Sequence, residues 1–370
     1  MTSLERIKAT YEFRPVDHLF RREFYIWTEA LDRWKAEGMP SGVSQSELFS
    51  YDPHAGAIFQ RLGWCEPAFV PPLTETVLEE TDEYEIVRDA AGRTVKFFQG
   101  RRHGFMPTYL KHAVTGQKDW EEEVRPLLDP AHPQRWVDFD KDLAALKQNI
   151  SRYGDFVTQH SIGGYMYLRA LVGPEEICYL LVDNPALVHQ MMQTWLELVD
   201  AVTARLQQTG IALDQFFIAE DICYNHGMLI SPDMVREFLL PYYQQILRNI
   251  RSRQSGSPKH VYFQVDTDGN CNEAIDVYRE AGMDVLSPFE IAAGNDVVAI
   301  ATKYPDLVMI GGIDKRVLAA GPEAIDDYLQ GVIPFMVKRG GYIPTCDHGV
   351  PDNVSYANYM HYRRRIMELD

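Results

Sequence analysis

A thiol, a carboxylate and an imidazole stand side by side in Gly340-Gly341-Tyr342-Ile343-Pro344-Thr345-Cys346-Asp347-His348-Gly349-Val350-Pro351, directly after a short apolar run. Such groups serve as metal ligands, or as acids and bases. The layout recurs upstream. Gln215-Phe216-Phe217-Ile218-Ala219 runs into Glu220-Asp221, and Val261-Tyr262-Phe263-Gln264-Val265 into Asp266-Thr267-Asp268-Gly269. Val285-Leu286-Ser287-Pro288-Phe289 runs into Glu290, and Leu307-Val308-Met309-Ile310-Gly311-Gly312-Ile313 into Asp314-Lys315. His160 closes a further run that starts at Asp155. Carboxylates gathered this densely raise one another's pKa or demand a cation. The set therefore implies protonated acids, a partner such as Lys315 or Arg316, or a metal. Cys346 with Asp266 or Asp268, Glu220 and His348 offers zinc a thiolate, carboxylates and an imidazole, with a position left for substrate.

Each residue also has a structural reading. Cys346 serves equally as a small buried apolar group, Asp266 and Asp268 as turn residues capping the next helix, and Asp314 as the cap of a helix starting near Lys315. Asp221 fits a turn before Asn225-His226-Gly227, and His160 fits a satisfied core position. Repetition at tip after tip carries the catalytic reading.

Buried strands with polar groups always at their C-terminal ends are how a parallel barrel builds a catalytic face. From Tyr153 onward strand and helix signals alternate, including a long helix from Pro185 to Gln208 and a helix started by Ser231-Pro232. The expected class is α/β, a (β/α)₈ TIM barrel; about six strands are identifiable and the eighth follows from closure. Residues 1–150 read as an N-terminal extension packed on the barrel, and 151–370 as its main part. The extension contains an amphipathic helix from Arg21 to Gly38, carrying Phe24, Trp27, Leu31 and Trp34, and a β-hairpin over Glu83 to Phe98.

The chain has 370 residues, 46% of them hydrophobic, against the ~250 a barrel of this kind needs. Lys+Arg 36 against Asp+Glu 53 gives a net charge of −17, which argues against nucleic acid and anionic membranes as partners. Five scattered cysteines fit a reducing compartment, and no apolar run approaches the ~18 residues of a membrane span, so the expectation is a cytoplasmic protein acting on a small molecule. Gly311-Gly312 and Gly340-Gly341 lack the spacing of phosphate-binding loops, and no GxSxG elbow is present. Parallel barrels often associate through their helices, which leaves a homodimer open.

The chain resembles the uroporphyrinogen decarboxylase superfamily, which includes cobalamin-dependent methyltransferases. The resemblance rests on Leu229-Ile230-Ser231-Pro232-Asp233-Met234-Val235-Arg236-Glu237-Phe238 with Pro241-Tyr242-Tyr243, on Gly311-Gly312-Ile313-Asp314, and on the glycine-led final strand ending at Cys346. It implies a (β/α)₈ barrel with an N-terminal extension. Decarboxylases of the family carry an arginine-rich N-terminal motif that grips the acidic side chains of the substrate; this chain offers only Phe20-Arg21-Arg22-Glu23-Phe24 there. The methyltransferases bind zinc through a His-x-Cys-Gly tip and a late cysteine. Aligned on Gly269, this chain has Asp266 and Asp268 at the first two positions and Cys346 at the third.

The resemblance thus implies a corrinoid-linked methyltransferase or demethylase. Its metal ligands would be Glu220, Asp266, Asp268 and Cys346, with zinc or another divalent ion, and Asp221, His348 and Asp314 would be the catalytic groups. His160, Glu290 and Lys315 would bind substrate, and methylcobalamin would arrive on a corrinoid protein. One alternative is a metal-free decarboxylase of a pyrrole, tetrapyrrole or other carboxylate, favoured if Arg21, Arg22, Arg101, Arg102 and His103 fold over the mouth. Another is an inactive ligand-binding barrel.

Overall fold

The computed structural model describes residues 1–102, 107–256 and 259–370; His103 therefore lies outside the described residues. Seven strands form one wholly parallel sheet: β1 (Ala57–Leu62), β2 (Val157–Ile162), β3 (Gln215–Ala219), β4 (Tyr262–Asp266), β5 (Val285–Ser287), β6 (Val308–Ile310) and β7 (Tyr342–Ile343). Their spatial order is their sequence order. Right-handed crossovers between sequential parallel strands place every connecting helix on the same face. The other face must then be buried by curling, so the sheet is consistent with a TIM-like barrel.

Alternation along the strands confirms two distinct faces. Phe216, Ile218, Phe263, Val265, Leu286 and Met309 join the core shared with the helices. Val285, Val308, Ile310 and Ile343 pack instead with Ile7, Tyr11, Phe20 and Phe156. Ile7 and Tyr11 belong to the helix Ser3–Tyr11, which begins with a capping box between Thr2 and Glu5. Tyr11 closes the N-terminal end of the inner face. Its ring lies 5.2 Å from Phe156 and 4.9 Å from Tyr262, and its hydroxyl donates to Gln215 Oε1 at 3.2 Å.

No ladder joins β1 to β7 among the described residues. Residues 20–27 make backbone contacts toward both sides of that gap. Asp52 N donates to Arg21 O at 2.8 Å, while Val350 N donates to Tyr25 O at 3.0 Å and Trp27 N to Val350 O at 3.1 Å. This segment was expected to be helical, but the helix starts only at Thr28 and ends at Ala36. Pairing with residue 350 holds the preceding residues extended. Trp34 then fixes the helix, fully buried, stacked 4.7 Å from Tyr359 and donating to Val354 O at 2.7 Å.

β1, which falls within residues 1–150, pairs directly with β2 and so lies in the sheet. Between them comes a four-stranded antiparallel sheet, Thr76–Glu80, Tyr84–Arg88, Thr94–Phe98 and Thr108–Lys111, whose middle pair is the expected hairpin. Its turn is built by Asp89, whose Oδ1 accepts from Ala91 N and Arg93 N. Among the described residues no helix is long and apolar enough to cross a membrane.

Candidate active site

Inward-facing side chains of β2 to β5 form a polar ladder through an otherwise apolar interior. Thr158 and Tyr11 both donate to Gln215 Oε1; Gln215 donates to Gln264 and Gln264 to Ser287 Oγ at 2.9 Å, and Ser287 donates to Asp266 Oδ2. Asp266 ends β4 at the edge of a cavity of about 390 Å³, whose wall includes Arg22, His54, Trp64, His160 and Phe217. Burial pushes Asp266 up to about 7, and Asp221 adds to the rise, against the Ser287 hydrogen bond and the Arg22 charge. Arg22 makes no hydrogen bond or ion pair among the described residues.

Asp268 follows two residues later, before a turn that only glycine permits. Gly269 has φ +80, and a Cβ there would sit 2.7 Å from Tyr224 N. The Gly269 N–H donates to Glu290 Oε2 at 2.9 Å, and Lys315 Nζ donates to Glu290 Oε1 at 2.8 Å. Burial raises Asp268 to about 8, with Asp221, Glu290 and Asp266 adding repulsion and Lys315 opposing. Its side chain keeps 41% exposure, so solvent softens that rise. Burial also acts to raise Glu290, but Lys315 and the Gly269 N–H prevail and hold it below its ordinary value.

His348 Nε2 lies 3.4 Å from Asp268 Oδ2, and Tyr25 Oη lies 3.5 Å from His348 Nδ1. The imidazole sits among Phe24, Tyr25 and Trp27, with ring centres 5.5 to 6.3 Å away. Burial, then Lys315, lower its pKa. Asp221 completes the rim at φ +38, a left-handed conformation that aspartate tolerates, and pairs with Arg169 at 3.3 Å. His160 is on the cavity wall, stacked on Phe217 and pushed down to about 4 by burial and then Arg22.

Three expected site residues are engaged elsewhere. Glu220 is fully buried, accepting from Tyr243 Oη and Tyr278 Oη at 2.5 Å each and from Tyr165 N at 3.2 Å. Since Gln215, Phe217 and Ala219 face inward, period-two alternation turns Glu220 out toward the helices. Asp314 caps the helix Lys315–Ala320, accepting from Arg316 N at 2.8 Å, and its carboxylate is held by the Arg316 guanidinium. Cys346 is buried, its thiol pushed far up by burial and then by Glu23 and Asp347, and it contacts Asp347 Oδ1 only at 3.9 Å. No three His, Cys, Asp or Glu side chains among the described residues are arranged to hold a metal ion. The donors expected for zinc are thus dispersed among the described residues.

Among the described residues, Arg22 is the expected mouth cation that lines the cavity. Arg21 reaches Asp370 at 3.1 Å and Arg102 reaches Glu75 at 2.5 Å. The sequence reading passed over Glu23, whose carboxylate accepts from Cys346 N at 2.7 Å, Phe24 N at 3.0 Å and Tyr359 Oη at 3.0 Å. It thereby ties the segment bearing Arg22 to the tip of the last strand. Trp64 was also passed over. The inward polar ladder did leave a signal: Thr158, Gln215, Gln264 and Ser287 are polar residues inside apolar strands.

The family model of uroporphyrinogen decarboxylase (URO-D) matches residues 162–368, which span β3 to β7 and nearly all of the tips just described. The chain belongs to the URO-D family. Its curated URO-D relatives are distant. Uroporphyrinogen decarboxylase of Hydrogenobaculum sp. (strain Y04AAS1) is 23% identical over 143 residues, 39% of each chain. That of Pseudomonas fluorescens (strain Pf0-1) is 26% identical over 194 residues, 51% of this chain and 50% of the relative. The chain thus spans half or less of the length of the curated relatives it matches. In fold it is similar to a methyltransferase from Methanosarcina mazei, with a TM-score of 0.58 and 14% identity over 100% of this chain and 99% of the other.

Proposed function

We propose that this URO-D family member is a decarboxylase of a small anionic substrate held in the barrel mouth, with residues 20–27 standing where an eighth stave would close the barrel. The observation that carries the reading is Arg22, a guanidinium without an ion-pair partner among the described residues, in one cavity with Asp266, an acid whose pKa is near neutrality. Arg22 anchors a substrate carboxylate or phenolate. Cleavage of the C–CO₂⁻ bond leaves its electron pair on carbon and releases CO₂. The proton of Asp266 completes the new C–H bond, and Asp268 with His348, at the solvent-facing rim, restores it. A raised carboxyl pKa is what such a donor needs at neutral pH. One unpaired guanidinium in the cavity, among the described residues, is a poor match for the eight carboxylates of uroporphyrinogen, so a smaller substrate is the better fit.

A second reading is methyl transfer from a methoxy-type substrate to a corrinoid on a partner protein. It is favoured by the Trp27 indole, 44% exposed beside His348, which gives the rim a flat apolar surface. Asp266 would then protonate the departing oxygen.

The test is CO₂ release from a panel of ring and chain carboxylates, run with Asp266→Asn and Arg22→Gln. Release abolished by the first variant and weakened in KM by the second supports decarboxylation. No release, with substrate-dependent spectral change of added cob(I)alamin, supports methyl transfer. Tight ligand binding with neither activity leaves a binding barrel.

A further inference from the structure

The wall of the cavity is chemically lopsided. Trp64 and His160 both lie against Phe217, at ring-centre distances of 5.0 and 4.4 Å and interplanar angles of 20° and 26°, and they are 5.4 Å from each other. All three line the cavity. Trp64 and His160 are inclined at 44° to each other, so the two rings resting on a third form an angled aromatic wall. The wall is uncharged, because burial keeps His160 neutral at physiological pH. His160 Nδ1 is buried and has no hydrogen-bond partner among the described residues. The same cavity holds the guanidinium of Arg22, unpaired among the described residues.

Size is compatible with a ring. A cavity of about 150 Å³ is enough for benzene, so about 390 Å³ has room for a substituted one.

We propose that the site takes a planar, single-ring aromatic or heteroaromatic acid, its ring against the Trp64–His160 wall and its anionic group at Arg22. This rests on the anionic-substrate reading above and narrows it. Aromatic contact favours a flat ring over a puckered one of equal size, since only the flat ring has the quadrupole that pairs, face or edge, with Trp64 and His160. The wall thus selects ring type, while Arg22 selects charge.

The experiment is isothermal titration of the full chain with benzoate, cyclohexanecarboxylate and glutarate, repeated on Trp64→Leu, Trp64→Phe and Arg22→Gln. Benzoate is expected to bind about three- to tenfold more tightly than cyclohexanecarboxylate, the range that aromatic contacts supply. Trp64→Leu should erase that preference, Trp64→Phe should keep it, and neither should move glutarate. Equal affinity of the parent for the flat and puckered acids, with both still dependent on Arg22, overturns the aromatic assignment and leaves the anionic reading standing. Absence of any Arg22-dependent carboxylate binding sinks both. Near-ultraviolet circular dichroism identifies a misfolded Trp64→Leu, in which case the parent and Trp64→Phe decide the question.

Discussion

Asp268 Oδ2 and His348 Nε2 stand 3.4 Å apart, and their protonation equilibria are displaced in opposite directions, the carboxyl upward to about 8 and the imidazole downward. At neutral pH the proton of the pair therefore rests on the carboxyl. A site whose donor Asp266 sits near 7 and is refilled by Asp268 should lose activity as pH rises from about 7 through about 8. Asp268→Asn is expected to lower the rate about a hundredfold and to flatten the alkaline limb. A pH–rate profile of parent and variant decides; an unchanged limb would remove Asp268 from the proton path.

Asp266 and Glu220 are both raised to about 7 in the folded chain, from ordinary values of 3.8 and 4.5. Between roughly pH 4 and 7 the folded chain thus holds protons that the unfolded chain sheds. Their stabilising contribution is fully present below the unfolded values and is lost as pH rises through 7. Melting temperature should fall from pH 5 to pH 8, less steeply in Asp266→Asn. Thermal scans across that interval check it, and a rise would contradict the assignment.

Glu220 is expected to matter for folding and not for chemistry. Glu220→Ala strands two buried tyrosyl hydroxyls and the Tyr165 N–H, at a cost of about 3 kcal/mol or more. Glu220→Gln keeps an acceptor in place and should retain parental turnover per folded molecule. Denaturant unfolding gives the first quantity. Loss of activity in a stable glutamine variant would return Glu220 to the site.

Cys346 is expected to be structural. Elemental analysis of protein purified without chelator should give the same zinc content for the parent and for Cys346→Ala, well below one ion per chain. Stoichiometric zinc in the parent that vanishes in the variant would reinstate the metal set of the sequence reading.

Arg22→Gln should raise KM for an anionic substrate about tenfold or more while leaving kcat nearly unchanged, the behaviour of an anchoring charge. Steady-state kinetics on the best carboxylate of the panel measures this. A fall in kcat at constant KM would place Arg22 in the chemical step instead.

β3 to β7 were legible because each is a short apolar run that soon meets an acid, a pattern that needs no tertiary information; β1 and β2 end without one. Facing was harder to read. β3 is buried on both sides, so hydrophobicity does not reveal which of Glu220 and Asp221 turns inward; the polar Gln215 and Gln264 held the clue, since counting by two from them reaches Ala219 and Asp266 and not Glu220. Asp314 could be read as a cap or as a catalyst from sequence, and the Arg316 side chain decided for the cap. Arg22, Glu23, Tyr25 and Trp64 lie outside regular strands and helices. Their arrival at the mouth depends on pairing with residues distant in the chain, and no local pattern announces that.

Glu23 and Cys346 meet across 323 residues of sequence. A ribosome making this chain finishes the segment that carries Arg22 long before the stretch that receives it, so during synthesis residues 20–27 lack their partners at Cys346, Val350 and Tyr359. High contact order of this kind makes for slow assembly and leaves apolar groups such as Phe20, Phe24 and Trp27 uncovered in the meantime. The pocket's positive charge is therefore the last part of the site to be fixed, and a nascent or truncated chain that already has most of its strands would still lack the grip on its ligand.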